Sequence, residues 1–286
     1  MQTQKIGQTI HFYLKNIAFS SFLKDSRYSN IISPFTRMYL VTEGEGYIVF
    51  EGERTELEGG YLYLIPGFTP CTYFFKKNLA HYYIHFSPEM PSGLNIYSLF
   101  SITRKIAAQP LDKILFQRCL ELNPGYELPH HDPKVYQNKP WINKEITYAT
   151  VGKYLETTGI IRQLFSRFTG GESTSNISNL SNHNIQGILT YIQENLANNL
   201  SVNELACRAC ASKDHFTRIF KSVTGIPPSE FIIRKRIEKA KLLLLTTNCP
   251  LNEIIAQTGF RTTGYFCRAF KKFTSYTPME FRMKRG

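Results

Sequence analysis

From Phe35 to Phe86 apolar and aromatic residues come in short runs broken by glycine. Phe35 to Thr42 reads as a strand, Gly44-Glu45-Gly46 as a turn, and Tyr47 to Glu51 as the returning strand. Gly52-Glu53 turns again. Gly59-Gly60 leads into Tyr61 to Ile65, closed by Pro66-Gly67, and Tyr73 to Phe75 and Ala80 to Phe86 follow. Short aromatic and β-branched strands at this spacing predict a sandwich or small barrel. From Ser92 to Phe168 the pattern turns helical. Leu111 to Leu122 is one helix, ended by Asn123-Pro124-Gly125, and Asn123 to Pro140 is a loop rich in Pro, His and Asn. Ile142 to Phe168 is one long helix, or two broken near Gly159. Its Leu164, Phe165 and Phe168 either meet a partner helix or pack on the chain's own barrel.

The last hundred residues repeat. Asn203-Glu204-Leu205 returns as Asn252-Glu253-Ile254, and Phe216 as Phe266. Arg218-Ile219-Phe220-Lys221 returns as Arg268-Ala269-Phe270-Lys271, and Pro228, Glu230 and Phe231 as Pro278, Glu280 and Phe281. A period near ~50 residues with matched apolar, basic and proline positions means one supersecondary unit used twice. In the first copy Ser201 and Glu204 have the spacing of a capping box, and a helix runs to about Arg208. Ser212 caps a second helix whose Phe216, Ile219, Phe220 and Val223 share a face, and Gly225 ends it. The second copy has a helix from Leu251 to Gln257, a turn at Gly259-Phe260, and a helix from about Thr262 to Phe273. The two units span about residues 201–223 and 251–273. A connecting helix opens at Pro227-Pro228-Ser229 and buries Ile233, Ile237, Ala240 and Leu244, with the leucines at 242–245 in the bundle core. Some eighteen residues give a rod of roughly 27 Å, a spacer of the order of one DNA turn, ~34 Å.

Two short helices joined by a tight turn, the second with a basic outer face, form a helix-turn-helix. The residues placed to meet DNA are Lys213, Asp214, Thr217, Arg218 and Lys221 in the first unit. In the second they are Thr262, Thr263, Gly264, Cys267, Arg268 and Lys271. Arg218 and Arg268 hold the same place in the two helices, and each suits a guanine edge or a phosphate. A solvated basic face explains one such unit as well, and two matched units far less well. Ile185 to Arg285 resembles the AraC/XylS family of bacterial transcription regulators. The resemblance rests on Arg218-Ile219-Phe220-Lys221 before Gly225, on Gly259-Phe260, on Tyr265 to Lys271, and on Thr277-Pro278-Met279-Glu280-Phe281-Arg282. The chain departs from the family at Ile255, where alanine is usual, at Ser275, where a helix-ending glycine is usual, and at Gly264, which often carries a base-reading side chain.

Charge supports this division. The net charge is +12 over 286 residues. Residues 183–286 hold 16 Lys and Arg against 7 Asp and Glu, while residues 1–182 hold 18 against 15. That is the electrostatic footprint of a nucleic-acid module joined to a near-neutral partner. The reading is therefore an α+β two-domain chain: a β-barrel or sandwich with appended helices at 1–170, a linker at 171–182, and an all-α double helix-turn-helix at 183–286. Met1 to Lys15 is polar and no apolar run approaches ~18 residues, so a cytoplasmic protein without a membrane partner is expected. Cys207-x-x-Cys210 has the spacing of a metal or redox pair, but the second copy has Ala256 and Gly259 there, so packing slots are the simpler reading.

The N-terminal half resembles, less specifically, the cupin-type sensor domain of many AraC-family members. The metal histidines of cupins are missing from Gly46 to Glu51 and from Pro66 to Cys71, so no metal, cofactor or enzyme activity is expected. Alternation along Ala80 to Phe86 places His81, Tyr83 and His85 on one face, which looks either into a wet cavity or out of the barrel. With Tyr73 and Arg37 they form a candidate effector site for a sugar or organic acid. The expected function is a sequence-specific DNA-binding regulator, with two recognition helices in successive major grooves of an operator. The resemblance implies a homodimer, and contact with RNA polymerase in an activator. The alternative is a cupin-fold enzyme with a basic nucleic-acid-binding tail.

Overall fold

The computed structural model describes residues 7–50, 52–130, 146–169 and 183–283. Two compact units emerge from the contacts. One holds His11–Pro88 with Ile102–Gly170, and the other Glu89–Ser101 with Gly171–Arg282.

The first unit is a pair of antiparallel sheets. One carries β1 (His11–Ser21), β8 (Ala80–Glu89), β3 (Thr36–Glu43), β6 (Tyr61–Ile65) and β9 (Lys105–Ala107), hydrogen-bonded in that order. The other carries β2 (Ser26–Ile31), β7 (Cys71–Phe75), β4 (Glu45–Phe50) and β5 (Glu53–Glu58). The strands read from the glycine turns are present. β1, β2, β5 and β9 are additional, and β9 interrupts the start of the stretch from Ser92 to Phe168, where the pattern turns helical. Between the sheets lies a cluster that includes Tyr39, Val41, Ile48, Leu57, Ile65, Tyr73 and Phe75. The outer face of the first sheet is covered by helix. The Phe165 ring lies 5.3 Å from Phe12 and 6.1 Å from Phe86, and Phe116 lies 6.1 Å from Tyr82. A sheet covered on both faces needs apolar residues at successive positions. β3 accordingly buries six residues in a row, from Thr36 to Val41, while β4 and β7 alternate.

Helix α1 (Ile96–Leu99) belongs to the second unit; α2 (Pro110–Leu122) and α3 (Val151–Ser166) belong to the first. α3 runs without a break through Gly159. Leu164, Phe165 and Phe168 are all buried within this unit, which decides for packing on the chain's own barrel. The part of the expected loop at 131–140, the start of the expected helix at 142–145 and the expected linker lie outside the described residues.

The second unit holds α4 (His183–Glu194), α5 (Val202–Arg208), α6 (Lys213–Thr224), α7 (Pro228–Thr246), α8 (Leu251–Gln257), α9 (Thr263–Thr274) and α10 (Pro278–Met283). The repeat is geometric as well as textual. Phe216 and Phe220 stand 5.5 Å apart and Phe220 and Phe231 5.3 Å, while Phe266, Phe270 and Phe281 repeat this at 5.6 and 5.3 Å. The 19 residues of α7 span about 28 Å at the α-helical rise. It buries Ile232 rather than Ile233, and of the leucine run only Leu244 and Leu245 are buried, while Leu242 is 41% exposed. Ser201 caps α5 as expected by accepting from the Glu204 backbone N–H. The Glu204 carboxylate does something else: it accepts from the Tyr191 hydroxyl at 2.9 Å and so ties α4 to α5.

The two recognition helices end in the same left-handed cap, Gly225 at φ +79° and Ser275 at φ +64°. A residue with a Cβ is strained there. We expect Ser275→Gly to stabilise the helical unit by about 0.5–1 kcal/mol, read as a raised urea midpoint at unchanged slope.

Candidate nucleic-acid interface and effector cavity

Each recognition helix is started by a hydroxyl cap. Ser212 Oγ accepts from the His215 N–H at 3.4 Å, and Thr262 Oγ1 from the Tyr265 N–H at 3.3 Å. The apolar face of each helix faces the bundle, with Phe216, Phe220 and Val223 buried in α6 and Phe266, Ala269 and Phe270 in α9. The opposite face holds the expected DNA-contacting residues. Lys213, Asp214, Arg218, Lys221, Thr262, Thr263, Gly264, Arg268 and Lys271 are exposed, and Thr217 and Cys267 half-exposed. Two hydroxyls have other work: Thr262 is the cap, and Thr217 Oγ1 donates to the Lys213 carbonyl at 2.8 Å.

Several basic residues of this unit are engaged within it. Arg208 pairs with Glu204 and lies 3.8 Å from the Tyr191 ring centroid. Arg234 pairs with Glu230, Lys235 with Glu238, and Arg236 donates to the carbonyls of Leu196 and Asn198. These hold the fold. Among the described residues no carboxylate pairs with Lys213, Arg218, Lys221, Arg268 or Lys271. Their charge faces solvent on the two recognition helices.

The two arginines are presented differently. Arg218 Nη2 lies 3.1 Å from Nδ1 of His215, a residue missing from the set read from the sequence, although its place one turn before Arg218 was there to be seen. Among the described residues Arg268 has no such neighbour. Tyr265 stands at the matching position and packs on Phe260 at 5.8 Å, while the Arg268 guanidinium lies 3.7 Å from the point a side chain at Gly264 would occupy.

Cys207 and Cys210 do not fill packing slots, since both are exposed. Among the described residues no group of three or more His, Cys, Asp and Glu side chains is placed to hold a metal ion. No described helix is long and apolar enough to cross a membrane.

A family model described as a helix-turn-helix domain matches residues 205–284. The transcriptional activator AarP of Providencia stuartii is 33% identical over 99 residues, which cover 35% of this chain and 73% of that protein. The chain belongs to the AraC-type family of helix-turn-helix transcription regulators. The probable transcriptional regulator LumQ of Photobacterium leiognathi is 32% identical over 92 residues, 32% of this chain and 37% of its own length. The match thus spans little more than a third of one relative and about three-quarters of the other. Among solved structures, the C-terminal domain of the response regulator yesN of Fusobacterium nucleatum is 36% identical. It covers 34% of this chain and 95% of that one, with a TM-score of 0.33. The family match lies within the helical unit.

Between the two sheets of the first unit lies a cavity of about 40 Å³ whose wall includes Tyr28, Tyr39, Tyr73, His81, Tyr83 and His85. By this measure a water needs roughly 10–15 Å³, so there is room for two or three waters or a small polar group. His81, Tyr83 and His85 face inward, at 5%, 4% and 2% exposure, and the outside-of-barrel alternative falls. Arg37 does not reach the cavity. It lies fully buried behind Tyr73, its guanidinium 5.2 Å from that ring, donating to Ser33 Oγ at 3.2 Å and to the Thr69 carbonyl at 3.4 Å. Tyr83 is committed to the fold, because its hydroxyl accepts from the Leu128 N–H at 2.9 Å.

His85 is the least satisfied group of this buried set. Its ring stacks between Phe35 at 4.7 Å and Tyr83 at 4.8 Å, and neither ring nitrogen meets a described hydrogen-bond partner. Burial holds its pKa well below the ordinary histidine value, and the charges of Arg37 and His81 push the same way. The imidazole is therefore neutral, and it offers the cavity a donor or an acceptor.

Proposed function

We propose that the protein is a sequence-specific DNA-binding transcription regulator and not an enzyme. It acts in the cytoplasm on double-stranded DNA through α6 and α9, and answers to a small polar effector held beside His85. The observation that carries this is the pair of capped helices whose outward cations, Arg218 and Arg268 foremost, have no carboxylate among the described residues, while Arg208, Arg234 and Lys235 are paired within the bundle. The residues that meet DNA are Lys213, Asp214, Thr217, Arg218 and Lys221, and Thr262, Thr263, Gly264, Cys267, Arg268 and Lys271. Residues 1–170 act as the sensor and 183–286 as the DNA-binding domain, joined through 171–182. The effector is a hydroxylated or acidic molecule of a few heavy atoms, since a whole sugar exceeds the cavity, with His81, Tyr73 and His85 around it and Arg37 supplying positive potential from behind. The reading includes a homodimer, and contact with RNA polymerase where the protein activates.

Selection of bound duplexes from a random pool tests this. Wild type is expected to enrich one asymmetric site. Arg218→Ala should relax preference at one end and Arg268→Ala at the other, each costing roughly 1–3 kcal/mol where a base edge is lost. Equal losses on all sequences would move that arginine to phosphate contact. Failure of wild type to enrich any site overturns the reading.

A further inference from the structure

The two recognition helices differ in how they hold their arginines, and the difference rests on one residue. On α6 the guanidinium of Arg218 turns back one helical turn, and its Nη2 stands 3.1 Å from Nδ1 of His215. Both side chains are exposed and no carboxylate competes for the arginine among the described residues. A guanidinium has donors and no acceptor, so in this contact Nδ1 accepts. The imidazole is then the tautomer with its proton on Nε2, and that N–H is left as a second donor beside the arginine. A guanidinium on a long stem is expensive to order, and a fixed fork is what bidentate reading of a base edge requires.

We propose that His215 is a positioning residue for sequence readout. It fixes the Arg218 fork in the first major groove, while α9, which lacks an equivalent, discriminates less. Three observations on α9 support the contrast. Tyr265 occupies the matching place and turns to Phe260. Gly264 carries no side chain. The Arg268 guanidinium lies over that glycine rather than against an acceptor. The inference rests on the DNA-binding reading above, and concerns how that interface selects sequence.

The experiment compares duplex selection and affinity for the full-length wild type, His215→Ala, His215→Gln, Arg218→Ala and the double variant His215→Ala/Arg218→Ala. Circular dichroism spectra establish that each variant is folded. Wild type reports on the DNA-binding reading by itself: without an enriched site, that reading and this one fall together. Given a site, His215→Ala should weaken preference about fivefold at the same base positions that Arg218→Ala relaxes, and leave the salt dependence of affinity nearly unchanged. The double variant should be no less selective than Arg218→Ala alone, because the histidine acts through the arginine. His215→Gln, whose amide oxygen also accepts, should restore most of the preference. Additive losses in the double variant, a loss at different base positions, or no rescue by glutamine would overturn the assignment. So would an Arg218→Ala profile identical to wild type.

Discussion

Gly259→Ala is expected to destabilise the second helix-turn-helix at the turn between its two helices. Gly259 sits at φ +75°, and a Cβ there would stand 2.3 Å from the Leu196 carbonyl oxygen and 3.0 Å from the Ala197 carbonyl. The left-handed backbone alone costs a residue with a Cβ roughly 1–2 kcal/mol. The collision is with backbone, which cannot swing aside as a side chain does, and overpacking of that kind adds roughly 1–3 kcal/mol. The expected total is about 2–5 kcal/mol, a large part of what a domain of this size has. The matched position in the first unit is Cys210, itself left-handed at φ +51° and exposed. There the substitution runs the other way: Cys210→Gly should cost nothing and should relieve strain. Urea unfolding followed by far-UV circular dichroism separates the two. If Gly259→Ala unfolds at the wild-type midpoint, the turn after α8 does not lie against the Leu196–Ala197 backbone.

That pair shows how much of the fold was legible. A repeat near 50 residues, with Phe216, Phe220 and Phe231 echoed by Phe266, Phe270 and Phe281, is a packing rule written into the chain. The bundle reproduces it to within 0.1 Å in ring spacing. What the pattern does not carry is the neighbour from another element. Cys207 and Cys210 align with Ala256 and Gly259, yet only at Gly259 does the backbone of Leu196 come close enough to forbid a side chain.

In the sheet unit the visible strands were those bounded by glycine turns. β5, Glu53–Glu58, is polar at most positions, and β9 is three residues long, so neither has a run to see. β1 does alternate, but no turn glycines flank it. Alternation correctly put His81, Tyr83 and His85 on one face. Which way that face looks depends on the helices that cover the opposite side of the sheet, through Phe116 and Phe165. Arg37 shows the limit of register arguments: it pairs with His85 across β3 and β8, yet Ser33 and the Thr69 carbonyl draw its side chain behind Tyr73.

Replacing His85 with phenylalanine should separate the binding role of the sheet unit from its stability. The new ring can keep the stacking against Phe35 and Tyr83, and the adjacent cavity takes the added volume. Two buried nitrogens without described partners disappear, a relief of roughly 1–3 kcal/mol offset in part by repacking, so at pH 7.5 the variant should be about 1 kcal/mol more stable. The pH dependence carries the sharper sign. His85 is held neutral in the fold by burial and by the charges of Arg37 and His81, so its folded pKa lies below its unfolded one. Above the unfolded value, about 6.5, both states are neutral and the group contributes no slope. As pH falls below that value the unfolded chain takes up a proton that the folded site refuses. Wild type then loses stability by up to about 1.4 kcal/mol per pH unit until the folded site titrates as well. The groups facing His85 are Arg37 and His81, which oppose its protonation, and the rings of Phe35, Tyr39 and Tyr83. Urea midpoints of the full-length protein at pH 7.5, 6 and 5 should therefore diverge, the variant keeping stability that wild type loses. A thermal shift given by a small hydroxylated or acidic ligand to wild type should be absent in the variant. Parallel pH curves would mean that His85 already has a hydrogen-bond partner in the folded protein, and the effector would then have to be sought elsewhere in the sheet unit.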